Sequence, residues 1–237
     1  MMRIGRTFSI ACLLLISLAC AAAAELRIQD FAVDILADVS GQLTVTENIT
    51  VRFITPHHGI ERFIAISGKT QWGENVRIDL QLEEIRLDDG PVPYTTSTRG
   101  SNRVFRIGDP DRTITGTYEY SIRYRVDRAW LFDENALRLY WNVTGNEWDI
   151  PIEHASAVVR FPDSVDLVSV SSISYLGYYG NSGRGTAGEA TETGELVFQS
   201  GLLYPGEGMT IDVSIPREML PISPPTVMQR IGYFLDA

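Results

Sequence analysis

One stretch of the chain, residues 114–126, alternates between apolar and polar side chains for long enough to specify its secondary structure. Threonine, glutamate, serine and arginine occupy one parity, and the other parity carries apolar residues, namely Ile114, Tyr118, Tyr120, Ile122, Tyr124 and Val126. Successive side chains of a strand point to opposite faces of its sheet. The segment therefore predicts a long strand with one buried face and one face in water.

Shorter alternating segments recur along the chain and are separated by turn-forming residues, such as those of residues 88–91. In residues 76–87 the apolar parity changes at Glu83 and Glu84, which predicts a β-bulge or a bend there. Short strands separated by turns are typical of antiparallel sandwiches. We therefore expect an all-β fold, an antiparallel β-sandwich of one or two units.

Two segments depart from this strand pattern. Residues 128–136 form a short helix-like patch that could equally be an irregular loop. Residues 178–194 are rich in glycine, serine, threonine and alanine, so they can bury little apolar surface. This composition predicts a mobile loop between two strands, with a loop that covers a substrate as the alternative.

The N-terminus has the pattern of a secretory signal. Arg3 and Arg6 precede an apolar run over residues 8–20, and four alanines follow at residues 21–24. Signal peptides have this order of charge, apolar run and small residues. We expect a signal helix over residues 1–24 that is removed after Ala24. The alternatives are an uncleaved anchor and lipidation at Cys20.

Removal of the predicted signal changes the cysteine content and the charge of the exported chain. Both cysteines of the sequence, Cys12 and Cys20, lie within it, so the exported domain must be stabilised by burial and not by disulfides. Removing it leaves 18 basic and 30 acidic residues. Such an acidic chain lacks the basic surface that nucleic acid requires, so we expect no nucleic-acid partner.

The remaining chain divides at Pro216 in our interpretation. Residues 25–216 form the β-sandwich domain, and residues 217–237 form a proline-rich linker followed by the start of a short C-terminal helix at residues 227–235. Prolines at 216, 221, 224 and 225 cannot continue a sheet and favour an extended linker.

Four motifs in order resemble those of a known family, and the resemblance extends over essentially all of residues 28–236. They are HHGIERFI, IGDPDRTITGTYEYSIRY, LYWNVTGNEWDIPI and LYPGEGMTIDVSIP. The chain resembles the N-terminal region of the predicted bacterial membrane proteins called domain of unknown function 2207. The resemblance implies an extracytoplasmic β-rich domain after a signal sequence, periplasmic or extracellular and associated with a membrane. Members usually continue into transmembrane helices, whereas this sequence ends at YFLDA, where the first such helix would begin.

One polar cluster points to a structural ion pair. Glu47 interrupts the apolar face of its strand, and a carboxylate in such a place needs a partner. Arg62 follows a turn at Gly59 and can form bidentate hydrogen bonds to a carboxylate. We predict that Arg62 pairs with Glu47 or with Glu61 and fixes a loop against the sheet.

A second cluster combines tryptophan with polar groups and gives the candidate binding residues Trp148, Asn146, Glu147, Asp149 and Glu153. An indole face can stack on a sugar ring while carboxylates accept its hydroxyl protons, so a glycan is a possible ligand. Paired carboxylates could also hydrolyse a glycosidic bond if their separation suited it. The plainer interpretation places Trp141 in the core, because it shares the parity of Leu137 and Leu139. Trp148 would then cap one end of the sandwich, and Gly145 and Asn146 would form a turn.

The sequence predicts no metal site and no cofactor. His57 and His58 are adjacent and would point to opposite sides of an extended chain, so they cannot readily chelate one ion. The favoured function is a non-catalytic interaction module that contacts membrane or envelope proteins. A carbohydrate-binding module and a carboxylate-based hydrolase are the alternatives.

Overall fold

A computed structural model describes residues 26–70, 73–180, 183 and 185–224 of the chain. The signal helix and the C-terminal helix expected from the sequence lie outside these residues. The described part consists of strands joined by turns, with two short 3-10 helices at Leu167–Ser169 and Arg217–Met219. Its strands are β1 (Arg27–Ala37), β2 (Leu43–His57), β3 (Ile60–Ala65), β4 (Ser67–Lys69), β5 (Asn75–Arg77), β6 (Asp79–Leu87), β7 (Gly90–Pro91), β8 (Tyr94–Arg99), β9 (Asn102–Ile107), β10 (Ile114–Asp127), β11 (Trp130–Phe132), β12 (Ala136–Asn142), β13 (Ala155–Arg160), β14 (Ser171–Tyr178), β15 (Glu189–Ala190), β16 (Glu195–Ser200) and β17 (Glu207–Pro216).

The described strands form two large sheets and two small ones. The largest has the order β15-β16-β13-β1-β2-β10-β6-β7, and a four-stranded sheet has the order β11-β12-β17-β14. A three-stranded sheet β3-β9-β8 and the hairpin β4-β5 lie beside them. The expected all-β, antiparallel architecture is confirmed. Strands β1 and β13 are the exception, because they run parallel at the centre of the largest sheet.

Strand β10 has the buried face that its alternation predicts. Tyr120, Ile122 and Tyr124 are fully buried between β2 and β6. The bulge expected in residues 76–87 is also present, because Arg123 pairs with Glu84 while the next residue of β10 pairs with Leu82. The extra residue of β6 in this bulge shifts the alternation of its side chains by one position, so that Ile85 faces the core and is buried.

The two large sheets share one hydrophobic core. Ile35 and Ile49 of the eight-stranded sheet belong to the same buried cluster as Leu139 and Ile211 of the four-stranded sheet. A sheet must bury its apolar face against another layer, and here each large sheet supplies that layer for the other.

The glycine-rich segment after β14 follows the edge of the four-stranded sheet. The backbone N–H groups of Ser174 and Leu176 donate hydrogen bonds to the carbonyl oxygens of Thr186 and Gly183, at 2.9 and 3.0 Å. The segment then continues into β15, which pairs with β16 of the other sheet. For its described residues, the predicted loop is thus an edge cover that connects the two layers. Such a cover shields an exposed strand edge from pairing with another chain.

The folded chain continues beyond Pro216. Leu220 is fully buried, and the Ser164 hydroxyl donates a 2.9 Å hydrogen bond to the Met219 carbonyl. Ile222 also packs against the core. The first part of the expected linker is therefore attached to the sandwich. Among the described residues, no helix combines the length and the apolar character that crossing a membrane requires.

Candidate functional site

A buried ion pair joins the second strand to the third. Arg62 and Glu47 are almost completely buried, and the guanidinium donates from Nε and Nη2 to the two carboxylate oxygens at 2.6 and 2.9 Å. The hydroxyl of Tyr124 donates to the same carboxylate at 2.7 Å. The glutamate that interrupts the apolar face of β2 therefore has two donors inside the core.

The remaining N–H groups of Arg62 hold the turn after β12. Nη1 donates to the carbonyl oxygens of Phe63 and Thr144 at 2.8 and 2.6 Å, and Nη2 donates to that of Val143 at 3.0 Å. With the two bonds to Glu47, every N–H of the guanidinium is used. Arg62 thus connects β2, β3 and the turn at residues 143–145 through one side chain.

The protonation states of this cluster are fixed by its surroundings. Burial alone would lower the pKa of Arg62, but the charge of Glu47 and the hydrogen bonds to it outweigh burial, and the pKa is raised. Burial, followed by the charge of Glu47, raises the pKa of Tyr124 well above its usual value. The raised pKa values keep the guanidinium charged and the phenol neutral, which suits a structural role.

Gly145 allows the turn to approach the guanidinium. Its φ is +80°, and a Cβ on this residue would lie 2.8 Å from Nη1 of Arg62. A side chain at this position would therefore be strained by its backbone and crowded by the arginine.

Glu61, the other partner considered for Arg62, forms a separate pair at the surface. It accepts two hydrogen bonds from Arg99, both at 2.9 Å. The hydrogen bond from Arg99 lowers the pKa of Glu61. The buried carboxylate of Glu47 and the surface carboxylate of Glu61 are thus paired with different arginines.

Trp148 does not offer its indole to solvent. It is 8% exposed, its Nε1 donates a 2.8 Å hydrogen bond to the Thr144 carbonyl, and its ring meets that of Phe31 edge to face at 6.1 Å. A sugar would need an open ring face, so the use of Trp148 as a stacking platform is corrected to a core role.

The other sequence-predicted binding residues separate into two places. Asn146 and Glu147 line a cleft, whereas Asp149 and Glu153 are not part of its described lining. Asp149 is exposed, and Glu153 forms an ion pair with Arg27 at 2.6 Å. The three carboxylates proposed for hydrolysis therefore do not share the cleft.

The cleft lies between the four-stranded sheet and the β4–β5 hairpin and has a volume of about 540 Å3. Its size falls in the range of roughly 300–1,000 Å3 common for ligand sites. Strands β12, β17 and β14 form one wall, and the hairpin forms another. Five of the described lining residues are aromatic, namely Tyr140, Trp141, Tyr175, Tyr178 and Tyr179. Among the described lining residues, Lys69 and Glu147 carry the charged side chains.

Three asparagine amides in this cleft are each held at one end by the protein. Asn146 Nδ2 donates to the carbonyl oxygens of Gly177 and Gly206, both at 3.0 Å. Asn142 Oδ1 accepts from the Gly145 N–H at 3.0 Å, and Asn102 Nδ2 donates to Glu147 at 3.1 Å. Within the described part of the chain, the opposite end of each amide has no hydrogen bond. The cleft thus presents oriented donors and acceptors.

Only part of this cleft could be predicted from the sequence. The alternation of β12 placed Trp141 in the core and, by the same parity, puts Tyr140 and Asn142 on the opposite face. The position of Tyr175 opposite Thr210 depends on pairing between β14 and β17, which no local pattern reveals. The polar cluster around Gly145 and the alternation of β12 are the local signals that indicate the site.

The hairpin wall is attached to the sheet through Arg138. This residue forms ion pairs with Glu74 of the hairpin loop, with Asp133 at 3.5 Å and with Asp212 at 3.3 Å. Burial raises the pKa of Asp212, and the charges of Glu74 and Asp133 add to this against the opposing charge of Arg138. Three carboxylates are thus gathered around one guanidinium. In residues 26–70, 73–180 and 185–224, no group of three His, Cys, Asp or Glu side chains could hold a metal ion.

The chain is similar to one family and to several larger proteins. Residues 27–215 match the family described as "Predicted membrane protein (DUF2207) N-terminal domain". The "Uncharacterized protein YciQ" of Escherichia coli is 28% identical over 134 residues, which is 55% of this chain and 21% of that protein.

Solved structures of larger enzymes are similar at a lower level. Native leukotriene A4 hydrolase from Saccharomyces cerevisiae has a TM-score of 0.48 at 8% identity, over 81% of this chain and 29% of its own. An M1 zinc metallopeptidase from Deinococcus radiodurans has a TM-score of 0.45 at 13% identity, over 78% and 42%. The chain spans about a fifth of the length of the curated relative and less than half of each of these structures. By its match over residues 27–215, the chain belongs to the DUF2207 family of predicted membrane proteins and contains the family's N-terminal domain.

Proposed function

We propose that this chain supplies an extracytoplasmic, non-catalytic interaction module of a membrane-associated protein, and that the cleft between the four-stranded sheet and the β4–β5 hairpin is its contact site. Membership of a family of predicted membrane proteins supports the association with a membrane. The signal-like pattern of residues 1–24 supports export. The net charge of −10 favours a protein or neutral partner in the envelope over nucleic acid.

The composition of the cleft is the observation that carries this proposal. It combines tyrosine rings with asparagine amides that the backbone holds in place. A concave site with aromatic walls and a few oriented polar groups is typical of binding. Holding these groups in advance lowers the entropy lost when a partner is bound.

The arrangement of the carboxylates favours binding over hydrolysis. Both oxygens of Glu147 already accept hydrogen bonds, from the Asn102 side chain and the Asn146 N–H, at 3.1 and 3.0 Å. Glu153 is paired with Arg27 outside the cleft. Glycoside hydrolysis requires two carboxyl groups at a set separation across one bond. The described cleft supports no such pair.

Export can be tested with a β-lactamase reporter fused after Ala237, since this enzyme protects bacteria only when it is outside the cytoplasm. We expect ampicillin resistance from the fusion. A fusion that lacks residues 1–24 should confer none. Equal sensitivity of both fusions, with both proteins present in the cell, would contradict an extracytoplasmic location.

The contact site can be tested by photo-crosslinking in cells that carry the native gene. p-Benzoylphenylalanine replaces Tyr179, which is 80% exposed at the cleft, or Tyr94, which is 46% exposed and outside its described lining. We expect a discrete light-dependent adduct from position 179 in the envelope fraction, identified by mass spectrometry, and none from position 94. The same adducts from both positions, or none from either, would count against the cleft as the contact site.

A further inference from the structure

The cleft has a chemical character that narrows the class of its ligand. Its described lining contains several tyrosines, three asparagines and only two charged side chains, Lys69 and Glu147. An anionic or cationic ligand would meet little net charge of the opposite sign here. A neutral molecule with many hydroxyl groups and some apolar surface matches this lining better.

The tyrosines of the lining present ring faces on which a ligand can pack. Tyr140 of β12 and Tyr175 of β14 lie on either side of β17, with ring centroids 6.5 Å apart and planes inclined by 47°. Tyr178 and Tyr179 extend the aromatic surface towards solvent, with exposures of 52% and 80%. The face of an aromatic ring carries negative potential and attracts weakly positive hydrogens. The C–H groups on one face of a pyranose ring are such hydrogens.

The polar part of the lining complements hydroxyl groups. A hydroxyl both donates and accepts, and the amide of asparagine offers one group of each kind. Asn142, Asn146 and Asn102 are each fixed at one end, as described above. Their other ends have no partner among the described residues. Amides that are already oriented can select a ligand by the directions of its hydroxyl groups.

We propose that the cleft binds a neutral saccharide, with pyranose rings packed on the tyrosines and hydroxyl groups bonded to the asparagine amides. This inference rests on the proposed function, because it assigns a ligand class to the same contact site. It differs from the sequence-based interpretation in the aromatic residues used, since Trp148 is in the core and the cleft tyrosines take its place.

The test uses the purified chain and an array of immobilised cellotriose, maltotriose, mannotriose and N,N′,N″-triacetylchitotriose, all of them neutral, followed by calorimetry with the saccharide that binds. We expect one of these probes to bind. Tyr178→Ala should weaken its binding by about tenfold, the upper range for loss of one aromatic contact. Asn142→Asp, which keeps the acceptor for the Gly145 N–H and removes the amide donor, should weaken binding by a similar factor. Tyr94→Ala, at a comparably exposed tyrosine outside the described lining, should leave it unchanged.

The outcomes separate the ligand class from the contact site. A saccharide that binds all variants equally overturns the assignment to this cleft. Binding of none of the four probes, together with a protein adduct at position 179 in cells, overturns the saccharide and leaves the proposed contact site in place. Binding of none of them without any such adduct overturns both. Thermal melting of each variant verifies that the fold is kept.

Discussion

Arg62 is a fully paired cation inside an apolar core, and its partners determine what its removal would cost. Arg62→Met would leave the Glu47 carboxylate buried with Tyr124 as its described side-chain donor, and it would also release three carbonyl oxygens. Removing one member of a buried ion pair typically costs about 3–5 kcal/mol. We expect a loss of this size in urea unfolding. Arg99→Met, at a pair whose arginine side chain is 53% exposed, should cost about 1 kcal/mol or less. Similar losses for both variants would contradict a special role for the buried pair.

Gly145 lets us separate backbone strain from crowding, because the chain contains a matched glycine elsewhere. Gly145 and Gly194 have φ values of +80° and +79°, but a Cβ would meet Arg62 only at Gly145, since Gly194 has open space around it. Gly194→Ala should therefore cost about 1 kcal/mol through strain alone. Gly145→Ala should cost about 1–3 kcal/mol more, the usual range for overpacking. Equal unfolding free energies for the two variants would show that the guanidinium yields without cost.

At the scale of elements, the outer face of the four-stranded sheet predicts a dependence on pH. The pKa of Asp212 is raised, so the folded state holds its proton more tightly than the unfolded chain does. The tighter binding of this proton stabilises the fold fully only below the unfolded pKa of aspartate, about 3.9. As the pH rises above that value, the stabilisation is lost and the free energy of unfolding falls. Asp212→Asn removes that loss.

We therefore expect Asp212→Asn to melt at a higher temperature than the wild-type chain at pH 7, with the difference shrinking towards zero at pH 3. Asp133→Asn is a suitable comparison, because Asp133 also pairs with Arg138 but its side chain is 43% exposed, so its effect should be smaller. A variant at 212 that is less stable than the wild-type chain at pH 7 but not at pH 3 would instead mean that the ion pair with Arg138 outweighs burial and the neighbouring carboxylates.

Local alternation predicted the elements of this fold better than their partners. The buried face of β10 and the bulge of β6 follow from side-chain parity, because each depends on residues close in sequence. The helix-like patch at residues 128–136 is instead β11 and a turn, since pairing of Trp130 with Leu139 overrides a weak local preference. The parallel pairing of β1 with β13 joins segments more than a hundred residues apart, and no local pattern contains it.

The candidate site shows the same limit. Arg62, Glu47 and the residues around Gly145 could be predicted, because a charge on an apolar face and a glycine turn are visible along the chain. The cleft combines residues near 68, 102, 140, 147 and 178, which meet only after the sheets have formed. The burial of Trp148 likewise depends on Phe31, a residue far away in sequence.

At the scale of the whole molecule, the shared core implies one folding unit that extends past Pro216. Leu220 is fully buried, although it lies in the segment that sequence analysis assigned to a linker. Leu220→Ala should cost about 2–5 kcal/mol, as for other buried leucines, and should lower the midpoint of a single urea transition. Leu202→Ala makes the same change at a residue that is 52% exposed, and it should stay within about 0.5 kcal/mol of the wild-type chain.

Because tryptophan fluorescence and far-UV circular dichroism report on both sheets, the two probes should give the same midpoint in each variant. Equal midpoints for the two leucine variants would instead end the folding unit at Pro216 and make the contact of Leu220 with the core incidental.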